Sequence, residues 1–524
     1  MNTVRTQRMT ISDQLARHAG KIPERVAVRF LAPDGARDRT YAELDERVGR
    51  LANALLERGV RQGDRVAVLT MNNIEALEAY FASARIGAIT VTVNFRLVAD
   101  EVAYILEDSG ASVIVVDESL APLVAKVHSR IPSLRHCLVV GTPGAAETGW
   151  EAYEHALYSA SPDEVRIDVD EHAPAFIIYT SGTTGRPKGA VLTHQGLFVI
   201  ATSLLIHLGV PTDARVWLVA LPLFHIAAVA GILPSILRGD RLVLAPMGAF
   251  DAAAAVDVLE REAINVCFFV PAQWQLICDA SDTADRDLSA LRVMAWGAGP
   301  ATPALLRRIM STFPDALLYS AFGMTETTGT TTVLMGEDAV EKIGSVGTPM
   351  LNVEVRVVDA EMRDVAVGEV GEIVYRGPTV MKEYWNKPDA TQVAFEGGWF
   401  HSGDLVRQDE DGYLYVVDRL KDMIISGGEN IYSAEVENAI ADHPKVAEVA
   451  VIGVPDEKWG EVPLAVVAAR EPDETPTAAE IEQWCRERLA AYKVPKRTSI
   501  VAALPRNASG KVLKNQLRTQ LQGS

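Results

Sequence analysis

The stretch Tyr179-Thr180-Ser181-Gly182-Thr183-Thr184-Gly185-Arg186-Pro187-Lys188-Gly189 concentrates three glycines and four hydroxyls between Thr180 and Gly189, with Lys188 close to its end. Glycines let backbone N–H groups turn inward, hydroxyls donate to phosphate oxygens, and the lysine adds positive charge. That combination suits a cradle for a polyphosphate. It is not a Walker A loop, which needs G-K-[ST] opening a helix; here Pro187 precedes the lysine and Gly189 follows it. The flanks show how such a loop is held: residues 175–179 and 190–192 are apolar and read as strands entering and leaving it. A second concentration lies at the other end of the chain. Residues 488–524 contain eight basic residues and no acidic one. Two readings stand: a solvated basic tail, or an end offered to a phosphate-rich small molecule.

The chain as a whole, 524 residues with 48% hydrophobic and 23% charged content, has ordinary globular composition, with room for several cores. The formal charge of −19 excludes non-specific attraction of the whole surface to nucleic acid or anionic lipid. Four cysteines form no C-x-x-C pair and no zinc spacing, which fits a reducing cytoplasm. The N-terminal residues carry no apolar core of a signal peptide, and the most lipid-like window, 218–237, is interrupted by Pro222, His225 and Pro234. We therefore expect no transmembrane segment. Thr40 and Glu43 form a capping box ahead of a helix that Gly59 closes, and helix–strand alternation runs from there to residue 116 and again from 175 to 318. After Gly347 short strands and Gly/Asp-rich turns take over. The expected fold is α/β: a large N-terminal domain, residues 1–419, of two α/β-layered subdomains plus a β-rich subdomain. A small C-terminal α+β domain, residues 420–524, follows.

Six further motifs follow the loop in order: L-P-L-F-H at 221–225, A-F-G-M-T-E at 321–326, G-W-F-H-S-G-D at 398–404, D-R-L-K-D at 418–422, G-G-E-N at 427–430 and P-R-N-A-S-G-K at 505–511. With these motifs the whole chain resembles the adenylate-forming superfamily of acyl-CoA synthetases, peptide-synthetase adenylation domains and beetle luciferases. The resemblance implies an AMP-forming acyl-CoA synthetase using ATP, Mg2+ and coenzyme A. A carboxylate attacks the α-phosphorus of ATP, pyrophosphate leaves, and the CoA thiol then takes the acyl group and releases AMP. Catalysis of such a displacement is mainly positioning and charge neutralisation.

The same resemblance distributes the roles. Thr180, Ser181, Gly182, Thr183, Thr184, Gly185 and Lys188 would cradle phosphates, and Gly297, Ala298, Gly299 and Pro300 would present backbone to adenine. Ala321, Phe322, Gly323, Met324 and Thr325 continue the nucleotide site. Phe322 stands where the family usually has a tyrosine, so stacking survives but a hydrogen bond from the hydroxyl does not. Asp404 would accept from the ribose hydroxyls, with Val416 and Arg419 beside it. Glu326 and Thr184 would hold Mg2+. Lys511 would be the catalytic cation touching carboxylate and α-phosphate, with Glu326, Thr184 and His225 as further catalytic positions. Lys421 would be the hinge about which the C-terminal domain turns, placing Gly427 and Gly428 along the pantetheine channel.

For the acid, the implied pocket residues are Phe224, His225, Ala228, Gly231, Trp274, Trp296, Gly323, Thr328 and Val333. His225 would gate the acyl tunnel; a histidine in such an apolar stretch also reads as a packed core residue. Residues 226–237 contain no acid, which argues against an amino acid held by its ammonium, because a buried cation without a counter-charge costs several kcal/mol. Trp296 replaces a commonly small residue and points to an aryl or medium-chain fatty acid. The expected partners are that small carboxylic acid and coenzyme A, or alternatively a phosphopantetheine carrier protein or another oxyanion substrate. We expect no nucleic-acid partner, and a monomer or homodimer. A nucleic-acid ligase forming lysyl-AMP would need K-x-D-G, which no lysine here offers.

Overall fold

The capping pair forms as its spacing predicts. The Thr40 hydroxyl accepts from the Glu43 amide at 3.2 Å, and the Glu43 carboxylate accepts from the Thr40 amide at 2.8 Å, starting the helix Tyr41–Glu57. Leu44, Val48, Leu51 and Leu55 share its buried face, and Gly59 follows at φ +81°. The computed structural model describes residues 8–521 except 145–148, 166, 181–185, 281–285, 298–300, 427–428, 457, 472–473 and 508–509. The chain divides into two compact units: Met1–Val355 with Tyr375–Phe400, and Arg356–Val374 with His401–Ser524.

The first unit is built on two large sheets. One has seven strands in the order Glu151–Ala152, His136–Val140, Val113–Asp117, Arg65–Leu69, Ile89–Thr92, Pro174–Thr180 and Lys188–Thr193. All neighbours are parallel except the last pair, which is antiparallel with Thr180 opposite Lys188. Its strands read as continuous apolar runs because helices cover it; Val91, Ile114, Val116, Ile177 and Val191 all sit in one core. The phosphate-type loop therefore leaves the carboxyl end of a strand, where open parallel sheets place their ligands. The second sheet continues the alternation through Val216–Val219, Val266–Phe268 and Val293–Trp296 to Leu317–Phe322, each parallel to the next. It then turns antiparallel at Thr332–Met335.

The lipid-like window resolves into the end of the strand Val216–Val219 and the 13-residue helix Ile226–Arg238, with Pro234 inside it. Among the described residues no helix is long and apolar enough to cross a membrane. All four cysteines are free and buried.

In the second unit Phe400–Gln408 pairs antiparallel with Leu414–Arg419, setting Asp404 opposite Arg419. A separate sheet holds Glu429–Ile431, Ile424–Ser426, Gly460–Ala469 and Val446–Asp456 in that order, with Arg497–Val501 parallel to Gly460–Ala469. Residues alternate between two cores: Val451, Ala465 and Val467 pack with the helices Ser433–Ala441 and Ala478–Arg486 through Val436, Ile440, Ile481 and Cys485. Ile452, Leu464 and Val466 pack on the other face with Leu504 and with Leu517 of the helix Lys514–Leu521.

Candidate active site

The rims of the phosphate-type loop are tied down from several directions, while Ser181, Gly182, Thr183, Thr184 and Gly185 lie outside the described residues. On the entering strand the Tyr179 hydroxyl donates to Asp108 at 2.8 Å, and burial together with that carboxylate pushes its pKa up. Lys387 forms an ion pair with the same carboxylate. On the leaving side the Tyr104 hydroxyl donates to the Pro187 carbonyl at 2.9 Å, and the Arg186 guanidinium lies 5.2 Å from the Tyr104 ring centroid. Asp108, Tyr104 and Lys387 were not among the sequence candidates.

The structure brings Thr180 and Glu326 together across 146 positions of sequence. The Thr180 hydroxyl donates to Glu326 Oε1 at 3.1 Å, and a second donor, the Tyr384 hydroxyl, reaches the same oxygen at 3.0 Å. Glu326 sits in the turn Thr325–Thr327 with only 8% of its surface exposed. A buried carboxylate is costly unless hydrogen-bonded. Here both donors converge on Oε1, and among the described residues none is bonded to Oε2. A hard anionic oxygen beside a phosphate-type loop fits Mg2+, which takes one or two carboxylates plus phosphate and water oxygens. Lys188 places its Nζ 4.4 Å from the Tyr384 ring centroid, completing a cluster of hydroxyl, carboxylate, phenol and ammonium.

Around this cluster the strand Leu317–Phe322 sets Ala321 opposite Val333 and Phe322 opposite Thr332. Gly323 follows where two chains nearly touch: a Cβ there would lie 2.2 Å from the Gly329 carbonyl oxygen, so no other residue fits. Met324 and Thr325 lead into the Glu326 turn, the Met324 amide donating to the Thr327 hydroxyl at 3.2 Å. Gly297 is buried against the Phe268 ring, and Ala298, Gly299 and Pro300 lie outside the described residues.

In the second unit the cross-strand partners Asp404 and Arg419 form an ion pair of 2.6 Å, with Asp404 almost fully buried. The Asp404 amide donates to the Ser402 hydroxyl at 3.0 Å. Val416 is exposed on the same strand as Arg419. Lys511 is exposed on a tight hairpin closed by Asn507, whose amide donates to the Lys511 carbonyl and whose side-chain oxygen accepts from the Lys511 amide, both at 2.9 Å. Gly427 and Gly428, outside the described residues, join the paired strands Ile424–Ser426 and Glu429–Ile431.

Residues 15–385 match the model of the AMP-binding enzyme family, and residues 435–511 match that of the AMP-binding enzyme C-terminal domain. The chain belongs to the AMP-binding enzyme family. A feruloyl-CoA synthase of Amycolatopsis sp is 42% identical over 507 residues, covering 96% of this chain and 97% of that protein. The long-chain-fatty-acid–CoA ligase FadD13 of Mycobacterium tuberculosis is 38% identical over 486 residues, covering 92% and 93%. The o-succinylbenzoate CoA synthetase of Bacillus subtilis, solved with its acyl-adenylate intermediate, superposes with a TM-score of 0.84 at 34% identity, covering 96% of this chain and 97% of that one. It has also been solved with ATP and magnesium ion. This AMP-binding enzyme is accordingly an AMP-forming acyl-CoA ligase: it activates a carboxylic acid with ATP and transfers it to coenzyme A.

In this AMP-binding enzyme the L-P-L-F-H segment is held by hydrogen bonds to its neighbours. Asn72 accepts from the Leu223 amide at 2.9 Å, Tyr80 donates to the Leu223 carbonyl at 3.0 Å, and Thr92 donates to the Phe224 carbonyl at 2.8 Å. Phe224 meets Phe95 edge-on at 5.3 Å. His225 is exposed and caps the helix Ile226–Arg238, its Nδ1 accepting from the Ala227 amide at 3.2 Å. An accepting Nδ1 puts the ring proton on Nε2, which is then a donor. Ala228 is buried on that helix, whereas a side chain at Gly231 would meet open space.

Three pocket expectations take a different form. Trp274 is 0% exposed; its indole N–H donates to the Ala295 carbonyl at 2.9 Å and its ring packs edge-on between Phe269 and Phe313. It is a core residue, because a buried indole must find an acceptor and this one finds backbone. Trp296 is 4% exposed, in the strand Val293–Trp296. Thr328 holds the left-handed backbone, φ +57°, that β-branched residues avoid, and its hydroxyl donates to the Thr379 carbonyl at 2.5 Å rather than remaining available to a substrate.

The basic C-terminal run also reads differently in three dimensions. Arg488, Lys493, Arg506, Lys514 and Arg518 pair with Glu487, Glu435, Glu448, Glu437 and Asp422 respectively. Most of that charge is neutralised within the unit, so the run is not an open cationic patch.

Proposed function

We propose that this ligase activates an aryl carboxylic acid and hands it to the thiol of coenzyme A. The observation that carries the chemistry is the junction of the loop strand with a buried carboxylate, Thr180 to Glu326 Oε1 at 3.1 Å, which sets a carboxylate fit for a metal beside the phosphate cradle. In this reading the backbone and hydroxyls of Thr180 to Gly185, with Lys188, hold the triphosphate. Glu326 and Thr184 hold Mg2+, which supplies charge neutralisation at the phosphates. Lys511, exposed on its hairpin, supplies the cation for the carboxylate and α-phosphate in the adenylating state. Asp404, braced by Arg419, receives the ribose, and Phe322 gives adenine a stacking face. Lys421 is the pivot that exchanges the Lys511 hairpin for the segment of Gly427 and Gly428 when CoA enters.

The substrate class rests on three supports. The helix Ile226–Arg238 carries no acid before Arg238, so no counter-charge awaits an amino acid's ammonium. Its Gly231 faces open space, which leaves room beside that helix for an acyl group. The feruloyl-CoA synthase, 42% identical, acts on an aromatic acid by its name. The free, buried cysteines suit the reducing cytoplasm.

Pyrophosphate release measured over a panel of cinnamic-type, medium-chain, long-chain and amino acids, with CoA or a phosphopantetheine carrier protein as acceptor, tests this reading. Fastest release with aryl acids, and thioester with CoA, is the expected result. Preference for long-chain or amino acids, or thioester only with the carrier protein, overturns it.

A further inference from the structure

Tyr384 is absent from every motif singled out in the sequence, yet it touches two groups of opposite charge at the nucleotide site. Its hydroxyl donates to Glu326 Oε1 at 3.0 Å, and its ring lies under the Lys188 ammonium, 4.4 Å from centroid to Nζ. The side chain is 8% exposed. Its backbone is fixed to the strand that leaves the loop: Ala190 and Tyr384 form an antiparallel bridge, flanked by bonds from Trp385 N–H to the Gly189 carbonyl at 2.8 Å and from Val191 N–H to the Glu383 carbonyl at 3.0 Å. The Tyr384 amide donates to the Thr391 hydroxyl at 3.0 Å, and the Met381 amide donates to the Glu326 carbonyl at 2.7 Å. One short segment thus grips both the Glu326 turn and the Lys188 strand.

We infer that Tyr384 is a positioning residue with two separable tasks: its hydroxyl orients the Glu326 carboxylate toward the metal, and its ring face orients the Lys188 ammonium toward phosphate. The inference rests on the proposed reading of Glu326 and Lys188. The hydroxyl occupies the oxygen that Thr180 also uses, so the carboxylate cannot rotate freely and Oε2 is presented in one direction. The ring face carries partial negative charge and draws the ammonium over it without neutralising it, which an acidic side chain in that place would do.

The two tasks separate in two variants. Tyr384→Phe keeps the ring and removes the hydroxyl; Tyr384→Leu removes both. Two titrations by calorimetry read them: ATP into enzyme in EDTA, and Mg2+ into enzyme saturated with a non-hydrolysable ATP analogue. Loss of a hydrogen bond to a charged group predicts about tenfold weaker Mg2+ binding in Tyr384→Phe, with Mg2+-free ATP binding within about twofold of wild type. Tyr384→Leu is expected to show the same Mg2+ defect and, in addition, roughly threefold weaker ATP binding in EDTA. The proposal is overturned if Tyr384→Phe binds Mg2+ as wild type does, or if the two variants lose Mg2+-free ATP binding equally. Failure of wild type to bind Mg2+ with the analogue contradicts the proposed roles of Glu326 and Lys188 instead, which keeps the two ideas distinguishable.

Discussion

The two units differ in how completely they satisfy their buried polar side chains. In the first, several buried polar atoms have no hydrogen-bond partner: both ring nitrogens of His194, the Thr379 hydroxyl and the Trp385 indole are examples, and every such atom among the described residues lies in this unit. In the second, charge is matched locally, as where Lys514 meets Glu437 and the Ser433 hydroxyl, or Arg518 meets Asp422. A large unit with extensive cores tolerates unsatisfied groups; a small one has less apolar burial to offset them. The difference also bears on function. In the proposed reading the first unit acts through Thr180, Glu326 and Tyr384, which hydrogen bonds tie together, whereas the second pairs much of its basic run and carries Lys511 on its exposed surface. A tied receptor and a surface lysine are the parts that this reading of the two-step ligation needs.

The sharpest test of this contrast is Lys511→Ala. Because the side chain is exposed, thermal stability should be unchanged, while acyl-adenylate formation falls by about 10²- to 10³-fold through loss of a donor at the developing charge. Conversion of a supplied acyl-adenylate to thioester should survive. Equal loss in both half-reactions, or a lowered melting temperature, would place Lys511 among the packed residues and erase the contrast.

How far the sequence discloses all this depends on separation along the chain. The loop and its two strands are legible because their glycines, hydroxyls and apolar flanks are contiguous, and Thr40 with Glu43 is legible because a cap is a three-residue event. Tyr384 is not legible: it acts on a carboxylate 58 positions away, and a tyrosine beside a tryptophan looks like ordinary core. Trp274 misleads for the converse reason. Its acceptor is a backbone carbonyl 21 positions on, and composition cannot tell a ring that walls a pocket from one that fills a core. The pairing of the basic run is not legible because counting over a window cannot see Glu435, Glu448 and Asp422, which fold back onto it from 58 to 96 positions away.

A second test concerns acid. His194 is 0% exposed at the start of the helix His194–His207, and burial, partly offset by Asp13, pushes its pKa down to about 4. The helix N-terminus disfavours an imidazolium as well. Below pH about 6.5 the unfolded chain takes up a proton that the native ring refuses until about 4, so this contribution is fully present above that window and is lost as pH falls through it. The loss is on the order of 3 kcal/mol. Denaturant unfolding of the first unit at pH 7 and pH 4.5 should show it in wild type, and His194→Gln should flatten it. An equally steep acid loss in the variant would assign the pH response elsewhere.

The remaining tests concern how the second unit is fastened to its proposed pivot. Arg518 Nη2 donates to Asp422 at 2.8 Å and to the Lys421 carbonyl at 3.5 Å, and Lys514 holds the Ser433 hydroxyl, which in turn donates to Asp418 at 3.1 Å. The last helix, Lys514–Leu521, therefore grips the chain on both sides of Lys421. In the proposed reading, where Lys421 is the pivot, the bonds from Arg518 to the 421–422 segment leave the torsions of Lys421 itself for the rotation. Lys421→Pro, which fixes φ, should slow thioester formation about tenfold more than adenylation. Arg518→Gln breaks a partly buried pair and should lower the stability of the second unit by about 1 kcal/mol, with both half-reactions changed less than about threefold. If Arg518→Gln instead selectively impairs the thioester step as Lys421→Pro does, the pivot extends into residue 422 and the arginine controls the motion rather than merely anchoring it.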